Sequence, residues 1–239
     1  MSQHSAILNV ANLGLVEYQA ALALQAAMVA ARQTDEIGDT LLLLEHPHVF
    51  TLGRGADERF LLSQRPHEVP VHRVSRGGQV TYHGPGQLIG YPILKLEGRD
   101  RDVHRYLRNL EEVVILALSD CGIAAARREG LTGIWVAQRK IGSIGVGIKR
   151  WTTCHGFALI VCPDLSYFNG IVPCGIDGCE MTSMEMLSHK DISIEEFATT
   201  TQSHFSEVFG YAHSVIVEPA GLWKLVASNS TGVEDNRDA

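Results

Sequence analysis

A chain of 239 residues, 45% hydrophobic and 20% charged, holds enough apolar mass for one folded unit, which excludes wholesale disorder. Twenty Lys and Arg against 27 Asp and Glu leave a net charge of −7, which argues against generic attraction to nucleic acid or an anionic membrane. The five cysteines are odd in number and scattered. The opening MSQHSAILNV lacks both the charged start and the apolar run of an export leader, so the expected setting is the cytoplasm, with the cysteines as free thiols.

In chain order, residues 13–33 are rich in Ala, Leu and Gln and predict a helix capped by Asn12. Glu17 and Gln25 interrupt its apolar stretch, so it reads as a buried helix and not as a membrane anchor. Thr40–Glu45 is too short for a typical helix, is closed by His46-Pro47, and fits a strand covered on both faces. Val71–Val74 predicts another strand, and so does Leu88–Leu96, where Pro92 implies an edge position or a bulge. Apolar residues at helical spacing over Asp102–Ser119 predict an amphipathic helix ended by Cys121-Gly122. The short β-like runs Gly122–Ala126, Gly133–Ala137, Lys140–Ile148 and Thr153–Val161 predict an antiparallel meander, and Glu195–Phe209 a closing helix. One domain over residues 1–225 and a flexible, polar tail over 226–239 complete the reading.

Three segments have compositions suited to chemistry. Arg76–Gln87 (RGGQVTYHGPGQ) packs four glycines with Arg76, Tyr82 and His83, so a ligand can touch backbone beside donors and rings; a pair of tight hairpin turns is the plainer reading. It is not a phosphate-binding loop, because no Lys-Ser or Lys-Thr follows the glycines. In IVPCGIDG, Cys174 sits between Pro173 and Gly175. A cysteine attacks acyl groups only as the thiolate and needs a cationic or basic neighbour, although most loop cysteines are structural. In RKIGSIGVGI, Lys140 begins a strand of small residues and is placed to supply that cation; an ordinary solvated lysine is the competing view. His83 or His155 as the base of a Cys-His pair is a second candidate arrangement. The histidines and cysteines also invite a zinc reading, which the spacing disfavours because CGIDGC has no second cysteine pair.

The segments RGGQVTYHGPGQLIGYPI, KIGSIGVGI, HGFAL and FNGIVPCGI, in this order and preceded by EHPHVFTLGR, resemble the lipoyl(octanoyl)transferase family over roughly residues 41–183. Departures are Ser75 where that family often has an acidic residue, His48 where a second proline is common, and Ile160 where asparagine often follows HGFAL. The resemblance implies an α/β (α+β) single domain of the biotin and lipoate protein ligase catalytic fold, with helices packed on a curved mixed sheet. It implies that Cys174 carries the acyl group as a thioester and that Lys140 favours its thiolate and acts as acid and base. It also implies a substrate pocket lined by Arg76, Gly77, Gly78, Gln79, Val80, Thr81, Tyr82 and His83, by Ser143, Ile144 and Gly145, and by Gly156, Phe157 and Ala158.

The donor it implies is octanoyl-acyl carrier protein. The acceptors are lipoyl domains of 2-oxoacid dehydrogenases and the glycine cleavage H protein. No cofactor, metal, nucleic acid or membrane enters, and the chain is expected to act as a monomer. An ATP-dependent ligase of the same fold, a non-catalytic acyl-binding module and a zinc-binding regulator are the competing functions. Because the implied partners are acidic, a local basic face is expected among Arg99, Arg101, Arg105, Arg108, Arg127, Arg128, Arg139, Lys149 and Arg150.

Overall fold

In a computed structural model, residues 4–176, 178–188 and 193–231 are described. In chain order the elements are β1 (His4–Leu15), α1 (Tyr18–Gln33), β2 (Thr40–Glu45), β3 (Val49–Leu52), β4 (Val71–Arg73), β5 (Val80–His83) and β6 (Gln87–Ile93). There follow α2 (Val103–Asp120), β7 (Ala126–Arg128), β8 (Leu131–Val136), β9 (Arg139–Lys149), β10 (Thr152–Ile160), α3 (Met184–Leu187), α4 (Ile194–Phe209), β11 (Tyr211–Ile216) and α5 (Pro219–Thr231).

Eight strands form one mixed sheet in the order β11-β1-β2-β6-β10-β9-β8-β7; β4, β3 and β5 form a second, small sheet beside it. The part from β2 through β6 and β10 to β7 is antiparallel, and its last four strands form the expected meander, except that the first of them lies at Ala126–Arg128 and not over Gly122–Ala126. Helices cover both faces. Leu24 and Met28 of α1 pack with Leu42, Leu44, Ile89, Tyr91 and Ala158 on one face, while Leu110, Val113, Val114 and Ala117 of α2 and Phe197 and Phe205 of α4 pack with Leu41, Leu43, Phe157 and Leu159 on the other. Burying a large apolar side chain contributes about 1.5–3 kcal/mol, so these two stripes fix the layers. The alternation Leu41, Leu43 against Leu42, Leu44 shows why β2 has no polar face.

Asp102 opens α2 by accepting the amide hydrogen of Arg105 at 3.0 Å, and Gly122, at φ +76°, follows its end. Ser193 and Glu196 make a reciprocal capping box on α4.

Four further expectations need correction. The first helix begins at Tyr18, and Asn12 lies inside β1, whose backbone pairs in parallel with both β2 and β11; two ladders outweigh the helical propensity of residues 13–15. Pro92 is not at an edge, since β6 lies between β2 and β10. Nor is it at a bulge: Pro92 pairs in register with Leu41 of β2, and on the other side direct β6–β10 pairing stops at Gly90–Phe157 and resumes in the same register at Lys95–Thr152. The helix over Glu195–Phe209 does not close the fold, because β11 and α5 come after it. Finally, α5 runs to Thr231, beyond the start expected for a flexible tail, while residues 232–239 lie outside the described residues. Among the described residues no helix is long and apolar enough to cross a membrane.

Candidate active site

Cys174 sits in a tight helical turn, Pro173–Gly175, at φ +59° and ψ +10°, a left-handed conformation that non-glycine residues adopt at a cost of roughly 1 kcal/mol or more. The turn is held from several directions. Gly175 N–H donates to Val172 O at 3.0 Å, Ile176 N–H to Pro173 O at 3.1 Å, and Val172 N–H to Phe60 O at 2.8 Å. Gly175, itself at φ +68°, lies so close to Phe60 that a Cβ would stand 2.7 Å from that ring.

Lys140, the second residue of β9, is only 1% exposed, which removes the solvated-lysine reading. Its Nζ lies 2.6 Å from Cys174 Sγ, 3.5 Å from Thr132 O and 5.5 Å from the centroid of the Trp135 ring. Register explains the aim. Trp135 pairs with Lys140 but Ile134 pairs with Gly142, so β9 carries one extra residue, Ile141, as a bulge at that point. The chain after the Cys174 turn is strapped to the same residue: Lys140 N–H donates to Glu180 O at 2.8 Å and Thr182 N–H to Lys140 O at 2.9 Å.

A cleft of about 210 Å³ opens from this pair. Its floor is the β9–β10 part of the large sheet. Where β6 and β10 part, Leu94 N–H and Pro92 O are satisfied by Thr153 Oγ1, and His155 N–H donates to Oε1 of buried Gln25 on α1 at 2.7 Å. His155 adopts φ +54° there, and Gly156 comes so close to β6 that a Cβ would stand 2.1 Å from Gly90 O. Cross-strand pairs Gly145–Gly156 and Ser143–Ala158 place four small residues side by side.

The cleft electrostatics come from buried groups. Arg76 is 7% exposed, and it donates to Thr51 O and Oγ1 at 2.7 Å and to Gly77 O at 3.0 Å, with no ion pair to a carboxylate among the described residues. Burial pulls its pKa down. Burial, with Arg76 nearby, lowers His155 to about 4 and pushes His83 well below the ordinary histidine value. Burial also lowers His46 to about 4, and its Nε2 contacts Tyr91 OH at 2.8 Å. Neutral histidines thus surround a fixed guanidinium.

Of the residues singled out from sequence, Cys174, Lys140, Arg76, Gly78, Gln79, Val80, Thr81, His83, Ser143, Ile144, Gly145, Gly156, Phe157 and Ala158 all line this cleft, and Gly77 and Tyr82 do not. Tyr82 is a correction with a clear cause. Thr81 and His83 of β5 reach the cleft, whereas Tyr82 turns into the core of the small sheet against Phe50 and Phe168, and its OH meets His48 Nδ1 at 2.7 Å. Gly77 instead fastens the loop, donating its N–H to Val146 O at 2.9 Å. The cleft also takes in residues that were not singled out from the sequence: Tyr18 at the start of α1, Tyr91, Gly130, Leu131 and Thr132 at the β7–β8 turn, and Ile176. Tyr91 stands within the quoted GYPI segment, while Tyr18 carries no sequence signal because its helix reads as plain core.

Comparison with known proteins places this geometry in a family. The profile of the "Lipoyl protein ligase A/B catalytic domain" matches residues 17–206. The chain belongs to this family. Among curated relatives of this lipoyl ligase A/B chain, the octanoyltransferase of Syntrophotalea carbinolica is 46% identical over 201 residues, covering 84% of this chain and 94% of the relative. That of Geotalea uraniireducens is 48% identical over 178 residues, covering 74% and 82%. The fold matches a crystal structure of lipoate-protein ligase A bound with ATP, at TM-score 0.72 and 15% identity over 93% of each chain. It also matches the bipartite lipoate protein ligase of Thermoplasma acidophilum, at TM-score 0.66 and 16% identity over 93% of this chain and 91% of that one.

Within this family fold, a thiol against a lysine amine in a cleft floored by small residues can pass its proton to that amine, and the resulting thiolate, beside the ammonium so formed, can add to an acyl carbon.

Proposed function

We propose that this chain transfers an octanoyl group from octanoyl-acyl carrier protein to a specific lysine of lipoyl domains, by way of a thioester on Cys174. The activity class rests on membership of the family and on close relatives named octanoyltransferase. The observation that carries the mechanism is the 2.6 Å approach of Lys140 Nζ to Cys174 Sγ at the cleft.

In the first step the Cys174 thiolate adds to the thioester carbonyl of the donor. The C–S bond to the carrier's phosphopantetheine arm breaks, and the departing sulfur takes a proton from the Lys140 ammonium. In the second step the ε-amine of the target lysine adds to the octanoyl-Cys174 carbonyl and gives a proton to Lys140, and the C–S bond to Cys174 breaks. The product is an amide, and the thiolate–ammonium pair is restored. One thioester replaces another before the more stable amide forms, so no nucleotide is needed. Arg76, Gly78, Gln79, Val80, Thr81, His83, Ser143, Ile144, Gly145, Gly156, Phe157 and Ala158 bound the acyl site. Lipoyl domains of 2-oxoacid dehydrogenases and the glycine cleavage H protein are the acceptors.

Intact-mass measurement tests this directly. Mixing the chain with octanoyl-acyl carrier protein should add one octanoyl mass, which disappears when a lipoyl domain is added without ATP and appears on that domain. An undiminished adduct on the Cys174→Ala variant, or transfer that requires ATP, overturns the proposal.

A further inference from the structure

Helix α2 contains a carboxylate with no solvent exposure of its side chain, Glu111, packed against the β7–β8 hairpin. Its Oε1 accepts the backbone N–H of Gly133 on β8 at 3.0 Å. Its Oε2 receives Arg108 Nη1 at 2.6 Å and Arg127 Nε, from β7, at 3.1 Å. Arg127 in turn reaches Glu112 and donates to Arg108 O at 2.8 Å. Both strands of the hairpin are therefore fastened to one buried side chain of the central helix.

Gly133 is the residue on which Lys140 rests. It adopts φ +134°, and a Cβ there would stand 2.8 Å from Lys140 Cε and 3.0 Å from Nζ. The preceding residue, Thr132, offers its carbonyl to the same Nζ at 3.5 Å. Pairing along this stretch is interrupted, with a register shift between Ala126 and Arg128 on the β7 side and between Ile134 and Trp135 on the β9 side. Glu111 provides the acceptor for Gly133 N–H in this interrupted stretch.

We infer that Glu111 is a positioning residue: through Gly133 it holds the β8 backbone as the surface that keeps the Lys140 ammonium on Cys174. This rests on Lys140 and Cys174 acting together, as proposed above. Arg108 and Arg127, two of the basic residues expected to greet acidic partners, are on this account spent on the internal anchor.

The test is the pH dependence of Cys174 alkylation by iodoacetamide in the full chain, read by intact mass with thermal melting as a check of folding. No acyl substrate is involved, so a failure of octanoyl transfer and a failure of this inference are separable. Glu111→Ala is expected to slow alkylation at pH 7 by about tenfold and move its midpoint up by about one pH unit, leaving the rate at high pH unchanged, where the thiol ionises without help. Glu111→Gln keeps an acceptor for Gly133 and should retain the wild-type profile. Gly133→Ala leaves Glu111 intact but crowds Lys140, and should reproduce the Glu111→Ala profile. A wild-type profile in folded Glu111→Ala, an equal loss at every pH, or a Gln variant as impaired as the Ala variant overturns the inference. If Glu111→Ala does not fold, a wild-type profile in Gly133→Ala overturns it.

Discussion

Two buried cations border the same cleft, and they are held in opposite ways. Arg76 is fixed by neutral oxygens, with Thr51 and Gly77 accepting from Nε and from both terminal nitrogens. Among the described residues Lys140 has only the distant Thr132 carbonyl, the face of Trp135 and the Cys174 sulfur. A buried charge with its donors filled is a structural post, whereas one whose nearest partner is a titratable thiol can exchange a proton. The contrast fits the proposed mechanism, in which Arg76 sets the shape and field of the cleft and Lys140 takes part in the chemistry.

The sharpest way to break this contrast is Lys140→Ala. Octanoyl transfer to a lipoyl domain should fall about 10²–10⁴-fold, the usual worth of a positioned acid–base group, with the melting temperature little changed. A near-normal rate would move the proton role to a histidine.

Acid challenges the Arg76 end next. His46 and His155 stand at about 4 when folded against about 6.5 when unfolded, so the unfolded chain binds more protons between these values. The stability they contribute is complete above pH 6.5 and is lost as pH falls towards 4, by about 3 kcal/mol for each histidine. Urea unfolding at pH 7.5 and pH 4.5 checks this, and equal midpoints would contradict it. Across pH 6–8 the transfer rate should show no inflection from a cleft histidine.

The smallest expected effect is that of Arg76→Lys. It keeps the charge but loses the fork to Thr51, and should cost about 1–3 kcal/mol of stability while leaving Cys174 alkylation at pH 7 within about twofold of wild type. Loss of thiol reactivity without loss of stability would reverse the two assignments.

Much of this site was legible because its chemistry needs unusual residues close together in sequence. Cys174 between Pro173 and Gly175, Lys140 ahead of a glycine-rich strand, and the Arg76–His83 loop stand out against any core composition. The amphipathic α2 and the four-strand meander were legible for the same reason: local period and turn residues agree with their tertiary setting. What escaped depended on distant pairing. β1 is a strand because β2 and β11 lie on either side of it, and β11 itself is a short outer strand with weak alternation. Glu111 carries no sequence signal of its burial, since nothing in EEVV tells which glutamate is covered. The direction of Tyr82 follows from β5 being a strand, which the glycines around it obscure.

The paired small residues on β9 and β10 have a consequence for how this protein can change over generations. Along Gly145 and Gly156 the proposed acyl site is bounded by main chain, and main chain offers no side chain to exchange. Gly156 cannot acquire even a methyl group without meeting Gly90 O, so the floor is closed to gradual remodelling. A shift towards shorter or longer acyl chains has to be written in the walls, at positions such as Val80, Leu131, Ile144 and Ile176, where one methylene more or less is worth about 1–3 kcal/mol. Lineages that diverge in acyl preference should therefore differ at those wall positions and keep the two glycines.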